Sequence, residues 1–127
     1  MKKLLLGALL ALTTVVSAQT MMAKSGYVEY SQQAFDEAVK LKRVLFFAAS
    51  WCPSCREADK DLTSNIKSLP ADTIIFKTDY DTQTALKTKY GITRQHTFVF
   101  VDAKGAALKK WSGGGMAEVV KAVNAKR

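Results

Sequence analysis

The segment Val44-Leu45-Phe46-Phe47-Ala48-Ala49 is an unbroken apolar run of six residues, bounded by Lys42-Arg43 on one side and Ser50 on the other. Side chains along a β-strand alternate between the two faces of a sheet, so a strand with no polar residue on either face is covered on both. Such a strand cannot lie at a solvated edge. It belongs at the centre of a sheet with helices packed above and below, and the rest of the chain has to supply those layers.

It does so in a regular order. Tyr27-Val28-Glu29-Tyr30 alternates as a short edge strand, and Ser31 reads as the N-cap of a helix carrying Phe35, Ala38, Val39 and Leu41 inward. After the central strand, Arg56 to about Ser68 has Ala58, Leu62, Ile66 and Leu69 at helical spacing, closed by Pro70. Ile74-Ile75-Phe76 with Lys77 forms a third strand, and Asp81 can cap a helix through Ala85, Leu86 and Tyr90 that ends at Gly91. Thr97 to Val101 and Ala106 to Trp111 form a hairpin about the turn Asp102-Ala103-Lys104-Gly105. Beyond Ser112-Gly113-Gly114-Gly115, the residues Met116, Val119, Val120 and Val123 mark a last amphipathic helix. The order β-α-β-α-β-α-β-β-α, parallel in its first half and antiparallel at the final hairpin, predicts an α/β domain: a three-layer α/β/α sandwich with a central mixed sheet.

The first residues, MKKLLLGALLALTTVVSAQ, have the form of a secretory signal: Lys2 and Lys3, an apolar core to about Val16, then Val16-Ser17-Ala18 before a cleavage site. The apolar run falls short of the roughly 20 residues that span a membrane. The expected organisation is a signal peptide over 1–18, a short flexible segment over 19–26, and one domain over 27–127, exported to the periplasm or secreted. The full chain has 19 basic and 11 acidic residues, a net charge of +8, and loss of Lys2 and Lys3 with the leader lowers this to +6. These charges are spread without a stripe or aromatic interleaving, which argues against nucleic acid as a partner. A monomer is expected.

Export bears on Cys52 and Cys55, the only cysteines, which lie together in Trp51-Cys52-Pro53-Ser54-Cys55. Thiols outside the cytoplasm are oxidised unless they are kept reduced or made to cycle. Pro53 suits the first turn of a helix, where a missing N–H costs nothing, so the pair sits at a helix N-terminus. There, unpaired backbone N–H groups and the helix dipole favour thiolate over thiol. Lowering a thiol pKa from roughly 8.5 to about 7 takes around 2 kcal/mol and raises the thiolate fraction near neutral pH to about half. Cys52, at the exposed start of the helix, is the candidate nucleophile, and Cys55, one turn on, can resolve a mixed disulfide. The competing readings are an inert local disulfide, two structural thiols, or half a zinc site, for which the chain offers only two thiolates and the single imidazole of His96.

The sequence resembles the thioredoxin superfamily from about Tyr27 to Ala125, in VLFFAASWCPSC, IIFKTDYD, KYGITRQHTFVFVDAKG and the SGGG before the last helix. The resemblance implies a thioredoxin-like fold and thiol–disulfide exchange with protein substrates, with Cys52 attacking and Cys55 resolving. It places Trp51 in a docking surface beside them, with Pro53, Ser54, Gln95, His96 and Thr97 shaping the site, and calls for no cofactor. The departures are specific. His96 stands where the family carries a cis-proline. A cis bond before a non-proline residue costs roughly 2.5 to 4 kcal/mol, so a trans Gln95–His96 bond is expected. Facing Cys52, His96 would stabilise the thiolate or accept its proton; turned away, it would be structural. Phe46 replaces the buried acid that in many relatives relays a proton to the resolving cysteine, which leaves Lys77 without that partner, and His96, Glu57 or Asp59 are the available substitutes. Lys60 replaces a proline that commonly kinks the helix.

The leading expectation is an exported thiol–disulfide oxidoreductase reset by a membrane or exported redox partner. The alternative is a copper or zinc carrier or chaperone using Cys52, Cys55 and His96, since the proline that would exclude a metal is absent. A third possibility is a redox-inert binding module.

Overall fold

The computed structural model describes residues 23–125, so the expected signal peptide and most of the segment over 19–26 lie outside the described residues. Five strands and four helices follow in the anticipated order: β1 (Gly26–Glu29), α1 (Gln32–Glu37), β2 (Lys42–Ala48), α2 (Pro53–Ser64), β3 (Thr73–Asp79), α3 (Thr84–Tyr90), β4 (Thr97–Val101), β5 (Ala107–Ser112) and α4 (Met116–Asn124). The strands form one sheet in the order β1-β3-β2-β4-β5. β3 runs parallel to both β1 and β2, whereas β4 is antiparallel to β2 and to β5. The apolar run therefore lies at the centre, as its composition demands.

Alternation along β2 sorts the core into two halves. Val44, Phe46 and Ala48 face Ala58 and Leu62 of α2 and Met116, Val119 and Val123 of α4. Leu45 and Phe47 face Phe35 of α1 and Tyr90 of α3. All five β2 residues are buried. Phe46, where the family resemblance points to an acid, stacks on Phe98 at 4.5 Å, and Phe98 stacks on Trp111 at 5.2 Å.

Three local expectations need correction. α1 begins as anticipated, with the Ala34 N–H donating to the Ser31 hydroxyl at 3.0 Å, but it ends at Glu37, and Val39 points to solvent. α2 begins at Pro53 and stops at Ser64, giving way to a short 3₁₀ turn over Ile66–Ser68. The Asn65 side chain donates to the Asp61 carbonyl (3.1 Å) and carboxylate (2.8 Å), drawing the chain out of the helical path. Ile66 is exposed in consequence, while Leu69 still reaches the core. α3 is capped at Gln83, not Asp81, and without a side-chain cap. Asp81 is engaged elsewhere: its N–H donates to the Asp79 carboxylate at 2.9 Å and its carboxylate holds Trp51.

Gly91 closes α3 at φ 63°, as its position predicted. Gly113 and Gly114 follow β5, each at φ 84°. A Cβ on Gly114 would fall 2.6 Å from the Glu118 side chain, so glycine is required there for space as well as for backbone. The first N–H groups of α4 are satisfied by two carboxylates: Asp61 accepts from Met116 N–H (2.7 Å) and Glu118 from Gly115 N–H (2.8 Å). These contacts fix the glycine loop against α2, beside the cysteines.

Candidate active site

The end of β2 delivers the chain to Cys52, which is the N-cap of α2. Its sulfur folds back to accept the N–H of Cys55 at 3.2 Å and lies 3.4 Å from the Ser54 hydroxyl. Pro53 takes the first helical position. Both cysteines are free thiols. Contrary to the expectation of an exposed nucleophile, Cys52 is only 1 % exposed and joins the core cluster beneath α2 and α4. The reason is the cap itself, which turns the sulfur inward over its own helix rather than toward solvent.

The two thiols are driven apart electrostatically. Burial works against ionisation of Cys52, but hydrogen bonds from the Cys55 thiol, the Ser54 hydroxyl, the Cys55 N–H and the Gln95 side chain outweigh it and hold Cys52 below its ordinary value. Burial, reinforced by Cys52, pushes Cys55 up to about 11. A thiol whose ionisation is eased beside one whose ionisation is opposed is the asymmetry that disulfide exchange uses.

His96 lies across this pair. The Gln95–His96 bond is trans, and the adjustment appears in His96 itself, at φ 57°, the single non-glycine residue at positive φ among the described residues. Histidine tolerates this left-handed region better than most residues, at a cost on the order of 1–2 kcal/mol. The conformation turns the imidazole toward α2. Nδ1 lies 2.9 Å from the Ser54 hydroxyl and Nε2 2.8 Å from the Gly114 carbonyl oxygen. The His96 N–H donates to the Phe47 carbonyl (2.8 Å), and its own carbonyl accepts from Gly113 N–H (2.9 Å). Thr97 points elsewhere: its hydroxyl donates to the Arg94 carbonyl (2.9 Å) and meets Ser112 at 3.0 Å, a brace between β4 and β5.

Trp51 is 55 % exposed. Its indole N–H donates to the Asp81 carboxylate at 3.0 Å, and its ring meets Tyr80 edge-on at 6.4 Å. It is a fixed apolar surface beside the cysteines.

Lys77 has a partner after all. Its ammonium lies 3.1 Å from Asp59, and the same carboxylate oxygen accepts the Tyr27 hydroxyl at 2.6 Å. Asp59 stands one turn beyond Cys55 on α2, so the carboxylate reaches Lys77 from the helix rather than from position 46. Cys55, Asp59 and Lys77 line one shallow cavity together with Asp79 and Asp81. Of the other proton acceptors considered, Glu57 lines the opposite cleft with His96. The metal alternative finds no support: among the described residues no group of three or more His, Cys, Asp or Glu side chains is placed to hold an ion, and both His96 nitrogens are engaged by Ser54 and Gly114. Sequence reasoning missed the Gly114 carbonyl and the Tyr27–Asp59–Lys77 cluster. The run of glycines marked a loop, but a backbone carbonyl leaves no signal in a sequence.

A mixed five-stranded sheet with a dithiol at the N-terminus of the helix after its central strand defines the class of thioredoxin-fold proteins. The chain belongs to the thioredoxin family, whose family model matches residues 26–125. It is 35 % identical over 60 residues to thioredoxin H4 of Arabidopsis thaliana, a match covering 47 % of this chain and 50 % of that one. It thus spans about half the length of that curated relative. Among solved structures it is similar to Trxlp of Edwardsiella tarda (TM-score 0.64, 23 % identity, covering 80 % of this chain and 100 % of that one). It is also similar to a Malassezia sympodialis thioredoxin (TM-score 0.61, 25 % identity, 79 % and 89 % covered).

Proposed function

We propose that this chain is an exported thiol–disulfide oxidoreductase acting on protein disulfides. The observation that carries the reading is the dithiol at the head of α2, where Cys52 caps the helix and its sulfur accepts the Cys55 N–H at 3.2 Å, an arrangement that eases ionisation of Cys52 and opposes that of Cys55. The Cys52 thiolate attacks one sulfur of a substrate disulfide, forming a mixed disulfide and releasing the other substrate sulfur as a thiolate. Cys55 then gives up its proton and attacks the Cys52 sulfur. The second substrate thiolate leaves, and a Cys52–Cys55 disulfide remains. The substrate has gained two electrons that the dithiol has lost, and an exported or membrane-bound redox partner restores the pair. Under an oxidising poise the same steps run in reverse.

Trp51 supplies the apolar surface on which a substrate polypeptide docks, next to the sulfur it must reach. Because Cys52 is covered, docking has to shift the side chains around it, with Gln95 and Ser54 in contact with the sulfur. Export rests on the form of residues 1–18, and on the use an oxidising compartment makes of a cycling thiol pair.

The test is reduction of insulin disulfides with dithiothreitol as electron source. The wild type should accelerate the reaction, Cys52→Ser should abolish the acceleration, and Cys55→Ser should accumulate a mixed disulfide detectable by mass. A wild type no faster than dithiothreitol alone would overturn the proposal.

A further inference from the structure

Two residues that set this site apart, Ser54 and His96, are joined to each other and to Cys52 in one chain of contacts. The Cys52 sulfur lies 3.4 Å from the Ser54 hydroxyl, that hydroxyl 2.9 Å from His96 Nδ1, and His96 Nε2 2.8 Å from the Gly114 carbonyl oxygen. The last contact determines the rest. A carbonyl oxygen can only accept, so Nε2 must carry a proton whether the ring is neutral or charged. In the neutral ring Nδ1 is therefore the bare nitrogen, aimed at the serine hydroxyl.

We infer that Ser54 and His96 form a proton relay that ionises Cys52: the Cys52 S–H proton passes to Ser54 Oγ as the Ser54 O–H proton passes to His96 Nδ1. The S–H bond breaks, the serine exchanges one proton for another, and the products are a thiolate, an intact hydroxyl and an imidazolium. No oxidant or further reactant is needed. In the product state both contacts of the Ser54 hydroxyl reverse direction and survive. Nδ1–H donates to the Ser54 oxygen, the Ser54 hydroxyl donates to the thiolate, and Nε2–H still donates to Gly114. A hydroxyl is the one small side chain that can donate in either direction along such a line.

The ring has carboxylates on one side and aromatic rings on the other. Glu57 and Asp61 of α2 and Glu118 of α4 line the cleft with His96, although Asp61 and Glu118 are partly occupied by the N–H groups at the head of α4. Phe46 and Phe98 face the ring from the core at 5.8 and 5.9 Å and supply no competing acceptor. The left-handed backbone of His96 and the two positive-φ glycines opposite aim the imidazole and the carbonyl at each other. This assignment deepens the oxidoreductase reading and rests on it for its purpose, not for its chemistry.

The test is the rate at which iodoacetamide alkylates Cys52 in the reduced protein between pH 6 and 8, with the thiolate absorbance at 240 nm followed in parallel. Ser54→Ala breaks the relay at its centre. His96→Asn removes the base with a residue that accepts the left-handed backbone. Each should slow alkylation near pH 6.5 about ten-fold, the worth of a charge-assisted hydrogen bond, and the double variant should be no slower than the worse single one, because either break silences the whole chain. Ser54→Thr, which keeps the hydroxyl, should retain the wild-type profile. Effects that multiply to about a hundred-fold, or an unchanged titration in Ser54→Ala, would overturn the relay.

Nitrogen-15 spectra of the wild type decide the matter without a substitution. Nε2 should stay protonated throughout, and the Nδ1 signal should share its midpoints with the thiolate absorbance, as coupled groups do. A neutral ring protonated at Nδ1 would refute the inference. Insulin reduction on the same samples keeps the two proposals apart. A wild type that reduces nothing removes the oxidoreductase reading while the titration still decides the relay, and an active protein with an unperturbed Ser54→Ala titration removes the relay alone.

Discussion

Replacing Asp59 by Asn should cost stability in a way that depends on pH, and the cluster around it sets both the size and the sign. Asp59 accepts the Tyr27 hydroxyl at 2.6 Å and faces the Lys77 ammonium at 3.1 Å, tying α2 to β1 and β3. The Lys77 and Asp59 side chains are each 37 % exposed, so solvent screens their attraction and the pair contributes roughly 0.2–1 kcal/mol. Asn can still accept from Tyr27, but a neutral acceptor forfeits about half of the roughly 1.5–3 kcal/mol that a charged one supplies. The total is about 1.5 kcal/mol near pH 7, or roughly 5–10 °C in Tm for a domain of this size. Burial tends to raise the Asp59 pKa, but hydrogen bonds from Tyr27 and Lys77 and the charge of Lys77 lower it below the ordinary carboxylate value. A carboxyl depressed in the folded state stabilises the protein above its unfolded pKa and loses that contribution as pH falls through the folded one. The wild type and Asp59→Asn should therefore differ near pH 7 and converge as pH falls below the ordinary carboxylate range. At the alkaline end, burial and the Asp59 contact raise the Tyr27 pKa, so its contribution is intact below the ordinary tyrosine value and is lost as pH rises beyond it. Urea titrations of both proteins at pH 7 and pH 3 measure the difference. A loss under about 0.3 kcal/mol at pH 7, or one of equal size at both pH values, would refute the argument, since only a charged Asp59 predicts the convergence.

Phe46→Ala should be the more damaging change, because Phe46 is fully buried and stacks at 4.5 Å on Phe98. The expected loss by urea titration is about 3–5 kcal/mol, and a loss below about 1.5 kcal/mol would mean that the aromatic column is not a supporting element. Alkylation of the reduced protein should be selective: as pH rises, Cys52 reacts first, at a midpoint below the ordinary thiol value, while Cys55 remains protected until pH approaches about 11. Mass spectrometry after brief iodoacetamide treatment at pH 8 should therefore find one adduct, on Cys52; modification of both, or of Cys55 first, would contradict the assigned roles.

The fold was legible because its main determinants are patterns along the chain. The six apolar residues at Val44–Ala49 could only be a covered strand, Ser31 and Gly91 bound α1 and α3 as capping chemistry requires, and the final hairpin follows from its turn residues. What escaped depended on choices between equivalent local partners. Asn65 could have continued α2 or turned back on Asp61, and it turned back. Asp81 was the expected cap of α3, and its carboxylate went to Trp51 instead. Cys52 was visible as a cap position, but the direction of its sulfur, inward over Cys55 N–H, is a rotamer and not a pattern.

The departures from the family pattern gain meaning only when read in space. Phe46 lies beside Lys77 across the β2–β3 pairing and offers it no charge, and the carboxylate that meets Lys77 comes from Asp59 of α2. Phe46 itself begins an aromatic column running through Phe98 to Trp111. His96 packs against the Phe46–Phe98 end of that column, 5.8 Å from Phe46 and 5.9 Å from Phe98. A carboxylate at position 46 would put a charge where the imidazole now meets only aromatic rings and would draw its proton toward the core. With Phe46 in place, the polar contacts of the imidazole point outward, to Ser54 and Gly114. Phe46 and His96 are therefore linked in space: the apolar residue in the strand offers the imidazole no polar partner, and its hydrogen bonds go to Gly114 and, through Ser54, toward Cys52.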